Sequence, residues 1–215
     1  MEHSSIKRIY NGYSSVYDLL FKMFFFPRQK RAISDLNIDP GARVLDVGIG
    51  TGLTLSLYPK MCEVIGIDLS IKMLDQAKKK VKQLEMENVT LIEMDACNLA
   101  FKDNSFDYAI ATHIISVVPN PMKLMNEMRR VCKPDGKLAL VNHFISSNPI
   151  IGNVEKRCDP FFRKIGWRTN LSLEEFIEES KLDIYQTTKL NKIDLWKIVH
   201  LNNNKEQLLS LNKEI

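Results

Sequence analysis

Cysteine is scarce in this chain and does not pair by spacing. Cys62, Cys97, Cys132 and Cys158 stand far apart, with no CxxC among them. Neither a zinc site, nor any other metal site, nor a disulfide framework is expected of such spacing. The four thiols read as mostly buried apolar fillers in a reducing cytoplasm. Long apolar runs are missing too. The most apolar stretch, LLFKMFFF at 19–26, is broken by Lys22 and stopped by Pro27, short of the roughly 20 residues that span a bilayer. The opening MEHSSIKRIY lacks an apolar segment followed by small residues, so no secretory signal is expected. Any membrane contact is expected from one side only. Charge of one sign is not in large excess: 30 basic against 26 acidic residues leave +4. That suits a phosphate-bearing partner and falls well short of a nucleic-acid-binding tail. Internal repeats and low-complexity segments are absent.

What is present is one domain's worth of core, 45% hydrophobic over 215 residues. Short apolar runs alternate with helical periodicity, which predicts an α/β fold with a mainly parallel sheet. Tyr13, Val16, Tyr17, Leu20, Met23 and Phe24 recur at helical spacing opposite Ser14, Asp18 and Lys22, an amphipathic helix ended by Pro27. A second helix is expected over 28–36, then a turn at Pro40-Gly41. Strands are expected at 43–47, 63–67, 89–93, 106–111, 137–142, 182–189 and 195–201. Helices are expected after the first strand to about Tyr58, after Ser70, from Pro121, within 150–165 and at 173–180. The organisation expected is a helical segment at 1–40, a catalytic domain at 41–202 and a polar tail at 203–215.

The loop Asp46-Val47-Gly48-Ile49-Gly50-Thr51-Gly52 joins the first strand to the helix expected after it. Glycines at alternate positions permit a tight turn and close ligand approach, and amides at a helix start can meet an anion. A dinucleotide-binding loop would carry glycine where Leu53 stands. The pattern here is acid-x-G-x-G-x-G, with Asp68 and Asp95 at the tips of the next two strands. Open α/β sheets bind ligands at such carboxyl ends.

VLDVGIGTG at 44–52 with Asp68 and Asp95-Ala96 resembles the class I S-adenosylmethionine-dependent methyltransferases. The resemblance implies a Rossmann-like fold with a seven-stranded sheet and S-adenosylmethionine as methyl donor. It assigns Asp46, Gly48, Gly50 and Gly52 to the methionine part, Asp68 to the ribose hydroxyls and Asp95 and Ala96 to the adenine. Leu69 and Met73 would flank the base, and Thr112 joins the set. ATHIISVVPNP at 111–121, EMRRVCKPDG at 127–136 and VNHF at 141–144 are similar to bacterial phospholipid N-methyltransferases, relatives of the quinone C-methyltransferases. YSSVYDLLF near the start and Gly166-Trp167 fit the same pattern, so the likeness covers about residues 10–200. It implies methylation of the phosphatidylethanolamine amine by a monomer on the inner membrane face. A soluble methyltransferase of small molecules or quinone precursors stays open, as does a non-catalytic cofactor sensor. The tetrapeptide of base-flipping methyltransferases is absent, since the chain reads ATHI after strand four.

A primary amine must lose a proton before it attacks a methyl group. His113 and His143, just past strand ends, are candidates to handle that proton. Tyr13 and Tyr17 are candidates to contact the amine or hold a cationic headgroup by cation–π attraction. Lys22, Arg28, Arg157, Arg163 and Arg168 are candidates for lipid phosphate, and the aromatic and basic residues around Phe24-Phe25-Phe26 suit an anionic membrane surface.

Overall fold

The structure, a computed structural model, describes residues 24–164, 167–191 and 194–205. Tyr13, Tyr17, Lys22 and most of the expected N-terminal helix lie outside these residues. The elements in order are α1 (Phe26–Ser34), β1 (Arg43–Val47), a 3-10 turn (Leu55–Leu57), β2 (Glu63–Asp68), α2 (Ile71–Gln83) and β3 (Val89–Glu93). Then come β4 (Phe106–Thr112), α3 (Pro121–Val131), β5 (Cys132–His143), α4 (Pro149–Lys164), α5 (Leu173–Ser180), β6 (Asp183–Thr188) and β7 (Trp196–Asn202).

One seven-stranded sheet runs in the order β3-β2-β1-β4-β5-β7-β6. Every pairing from β3 to β5 is parallel, and β7 runs antiparallel to β5 and β6. The order reverses between β1 and β4, opening the crevice where such sheets take ligands. The central strands are nearly continuous apolar runs because both faces are covered. Val44, Leu45 and Val47 of β1 and Ala109, Ile110 and Ala111 of β4 are fully buried. On one face Leu124, Met125, Met128 and Val131 of α3 pack with Phe106, Leu140 and Phe176. On the other, Ile33 and Leu36 meet Val44, Tyr58, Tyr108 and Ala139.

Local chemistry sets the helix starts. The Ser70 hydroxyl accepts the Met73 N–H at the head of α2. Asn120 caps α3 through the Lys123 N–H, with Pro121 in the first turn. Three expectations are corrected. No α-helix follows β1, only turns and the short 3-10 segment. Too few residues separate the glycine loop from Pro59 to nucleate a helix, and Thr54 and Tyr58 are drawn back to Asp46. The Pro134-Asp135-Gly136 turn lies inside β5, as a bulge between the Phe106–Cys132 and Tyr108–Lys137 pairs, with Asp135 at φ 63°. The expected polar tail begins too early: Asn203 is fully buried. Its Nδ2 lies 2.9–3.0 Å from the carbonyls of Arg129, Cys132 and Lys133. Among the cysteines, 62, 97 and 132 are buried and Cys158 is exposed, all as free thiols.

Candidate active site

A cavity opens along the carboxyl ends of β1, β2, β3 and β4. Its wall includes Gly48, Gly50, Asp68, Leu69, Met73, Asp95, Ala96, Thr112 and His113. These are nine residues anticipated from sequence, brought together by the parallel register. Ile49, Thr51 and Leu53 of the glycine loop line it with them. Ile114 and Pro119, from the ATHIISVVPNP stretch, also line it, as do Gln29 and Met94, which carry no motif by which sequence reading would find them.

Asp46 and Gly52 are near the cavity but do not line it. Asp46 is fully buried beneath the loop, and its Oδ2 accepts Thr54 Oγ1 at 2.6 Å and the Tyr58 hydroxyl at 2.7 Å. Burial pushes its pKa up to about 6 against those two bonds. Asp46 therefore braces the loop from below. Gly52 (φ 75°) packs on α2, where a Cβ would come within 2.5 Å of Leu55 Cδ1 and 3.1 Å of Ala77 Cβ. Gly48 (φ 74°) lets Ile114 approach the loop, since a Cβ would lie 2.6 Å from Ile114 Cδ1. The amides of Gly48 and Ile49 donate to the Ile67 carbonyl, so these two serve β-sheet continuity and not an anion at a helix start.

Asp68 ties two loops together. Its Oδ2 accepts the Gly50 N–H at 3.0 Å and its Oδ1 the Ser70 N–H at 2.8 Å. Each carboxylate oxygen has a second lone pair, and the residue faces the cavity, so hydroxyl donors of a ligand can be met there. Burial raises its pKa, opposed by the amides of Ser70, Gly50 and Leu69. Asp95 accepts the Cys97 N–H at 2.8 Å, which orients its turn at the tip of β3. Met94, Leu69 and Met73 make that end apolar and suited to a flat ring.

At the β4 end the chemistry changes. His113 has φ 62°, an uncommon backbone for histidine, held by its N–H donating to the Val141 carbonyl at 2.6 Å. Its Nε2 is buried with no partner among the described residues. Burial, helped by the nearby Arg28 charge, pushes its pKa down to about 3, so the ring is neutral near pH 7. Gln29 reaches in from α1, its Nε2 donating to Thr112 Oγ1 at 3.1 Å while its Oε1 is buried and unpartnered. Gln29 and His113 both line the cavity, and each keeps one buried polar atom with no partner among the described residues, a costly arrangement.

His143 is elsewhere. It is buried, its Nε2 3.1 Å from Glu155 Oε1, and it does not line the cavity. Burial lowers its pKa against the opposing Glu155 carboxylate. Aromatic rings link the two histidines. His113 meets Phe25 at 4.3 Å between centroids, Phe25 meets Trp196 at 5.4 Å, and Trp196 meets His143 at 5.8 Å. His143 then meets Trp167 at 5.4 Å, and Trp167 meets Phe162 at 5.1 Å.

The basic residues divide. Arg28 pairs with Asp194 (Nη2–Oδ1 2.7 Å, Nε–Oδ2 3.0 Å) and lies over the Trp196 ring at 5.0 Å. It is a tie between α1 and β7 rather than a free cation. Asp194 stays below the usual carboxylate range: burial raises it, but Arg28 and the Trp196 and Leu190 amides outweigh that. Arg163 is paired with Asp159 and reaches Asn170. Arg168 donates to the Pro119 carbonyl at 2.6 Å, bracing the cavity rim. Arg157 is exposed. No described helix is long and apolar enough to cross a membrane.

Comparison with known proteins agrees with this geometry. Residues 45–140 match the family described as "Methyltransferase domain". A phosphatidylethanolamine N-methyltransferase of Cereibacter sphaeroides is 35% identical over 89% of this chain and 94% of its own length. A demethylmenaquinone methyltransferase of Staphylococcus saprophyticus is 30% identical over 86% of this chain and 83% of its own. A solved SAM-dependent methyltransferase from Aquifex aeolicus superposes with a TM-score of 0.64 at 20% identity, over 94% of this chain and 98% of that one, which speaks to the fold.

Proposed function

Since the chain belongs to the class I S-adenosylmethionine-dependent methyltransferases, we propose that it methylates the amine of phosphatidylethanolamine, and its mono- and dimethyl products, at a membrane surface. The observation that carries this reading is the 35% identity to a phosphatidylethanolamine N-methyltransferase, sustained over 94% of that relative. The quinone-precursor reading is the second, favoured by the 30% identity to the demethylmenaquinone enzyme.

The cavity residues fit the cofactor. Asp68 is the proposed partner of the ribose hydroxyls, Asp95 and Ala96 of the adenine, and Leu69 and Met73 its flanks. S-adenosylmethionine, when bound, supplies an electrophilic methyl on a positively charged sulfur. The remaining work belongs to the protein: to align the acceptor, exclude water and hold the amine unprotonated. Gln29 Oε1 and His113 Nε2 are proposed to receive N–H groups of the ligands. A neutral imidazole with so low a pKa orients an amine by accepting a hydrogen bond and does not store its proton at neutral pH. The apolar Ile114, Val117 and Val118 beside it favour the uncharged amine by desolvation. His143, sealed against Glu155, is proposed to position Trp196 and Trp167 and not to touch the substrate. Tyr13 and Tyr17, outside the described residues, are further candidates to contact the amine on resemblance.

The test is radiolabel transfer from S-adenosylmethionine to detergent-dispersed lipids with headgroups varied one at a time. Label is expected in phosphatidylethanolamine and its partly methylated forms. Label in a quinone precursor, with none in any lipid amine, would replace this reading by the second.

A further inference from the structure

Helix α4 carries an apolar face that the described residues leave uncovered. Ile150, Val154, Cys158 and Phe161 recur every three or four residues, the spacing of one helix face. Ile150 is 76% exposed, Val154 58% and Phe161 66%, with Ile151 beside them at 44%, and Cys158 is exposed as well. Single exposed apolar residues are ordinary, but a contiguous stripe marks an interaction surface.

The charges on this helix are sorted by side. Its two acids are both turned inward. Glu155 receives the Ser146 N–H at 2.7 Å and pairs with His143, while Asp159 takes Arg163 and the Thr169 N–H at 2.9 Å. Their side chains are 13% and 8% exposed. Lys156, Arg157 and Lys164 are exposed, so the outward side of α4 presents apolar and basic residues and no carboxylate of its own. An apolar stripe edged by cations, with the anions withdrawn, is complementary to a bilayer of anionic lipids, whose headgroups take the cations and whose acyl boundary takes the stripe. A protein partner would need the same apolar seat, and the basic edge favours the lipid.

We infer that α4 is an interfacial helix that seats the protein on an anionic membrane through Ile150, Ile151, Val154 and Phe161, with Lys156, Arg157 and Lys164 at the headgroups. The seat has a consequence for the site. Phe162, on the same helix, touches Trp167 and begins the ring series that ends at His113 on the cavity wall. Docking by α4 therefore brings the outer end of that ring series, at Phe162, to the helix that meets the lipid. The choice of lipid as occupant rests on the proposed function, and the experiment separates the two.

Full-length protein is floated with vesicles of phosphatidylcholine alone or mixed with phosphatidylglycerol. A polarity-sensitive maleimide on Cys158 reports burial. Wild type is expected to float with the anionic vesicles and to show a blue-shifted label. The Ile150→Asp/Phe161→Asp double variant is expected to lose on the order of tenfold in vesicle affinity, since two apolar side chains leave the interface. Its methylation of detergent-dispersed phosphatidylethanolamine should be unchanged, which also shows that it is folded. Lys156→Glu/Lys164→Glu should weaken binding to anionic vesicles only. Both variants floating as wild type would overturn the inference. So would a Cys158 shielded from maleimide without lipid, or a change in sedimented mass in the apolar variant, which would mean that the chain or a second copy covers the face. If wild type methylates no dispersed lipid yet docks through α4, the substrate reading falls and the docking surface stands.

Discussion

The two ends of the cavity are built differently. At the β1–β3 end polar groups find partners over short distances in sequence, with Asp46 Oδ1 alone of the three acids' buried oxygens left unmet among the described residues. Asp46 is met by Thr54 and Tyr58, Asp68 by Gly50 and Ser70, and Asp95 by Cys97. At the β4 end the ties are long, and two side-chain atoms in the wall are left without partners. Gln29 reaches Thr112 across 83 residues of sequence, and Arg28 reaches Asp194 across 166. The first end is a preformed rigid cradle, suited to an invariant cofactor. The second is assembled from α1, β4 and β7 and keeps unmet acceptors, suited to a ligand that brings the donors.

Substitutions can break or sharpen that contrast. The largest effect is expected from Arg28→Ala. Asp194, with its side chain 1% exposed, would be left a buried unpaired charge, costing about 3–5 kcal/mol as read by urea unfolding. A cost near zero would mean that the β4 end is not held by this tie. Asp68→Ala should weaken S-adenosylhomocysteine binding on the order of 100-fold by calorimetry, because charge-assisted bonds to two hydroxyls are lost. Unchanged affinity would remove Asp68 from the proposed ribose site. Gly48→Ala places a Cβ against Ile114 at φ 74° and should destabilise by roughly 1–2 kcal/mol from the backbone alone. Gln29→Ala should lower kcat/KM about fivefold, the worth of one hydrogen bond of about 1 kcal/mol, with cofactor affinity less affected.

A pH dependence is a separate test of the β4 end. His113, lowered to about 3 from an ordinary value of about 6.5, binds fewer protons folded than unfolded between those limits. Its contribution is fully present above about 6.5 and is lost as pH falls through that window. Asp46, raised to about 6, acts in the opposite sense, gaining as pH falls toward the ordinary carboxylate value, so the comparison must be made at one site. His113→Asn tolerates the positive φ. The unfolding free energy of wild type relative to this variant should therefore decline steadily on acidification below about pH 6.5. A constant difference would contradict the depressed pKa.

The elements legible in advance were those whose signal is local. Ser70 and Asn120 announce helix starts by side chains that bond three residues on, and the strands of the parallel sheet show as apolar runs. The helix expected after β1 failed for a tertiary reason, because Thr54 and Tyr58 turn back to a buried carboxylate. Asn203, read as tail, is drawn in by three carbonyls of the α3–β5 junction. The outward apolar face of α4 was equally hidden. PIIGNVEKRCDPFFRK does not say which side meets the core until Glu155 finds His143 and Asp159 finds the Thr169 amide.

The sequence by itself determined the end of the cavity proposed for the methyl donor. A glycine loop and acids at strand tips are close in the chain to the strands that carry them, and parallel pairing brings them together in only one way. Tertiary structure alone decided the end proposed for the acceptor. Which histidine faces the cavity, which arginine is spent in an ion pair, and that Gln29 enters the wall all depend on contacts between segments up to 166 residues apart, where spacing along the chain carries no information about distance in space.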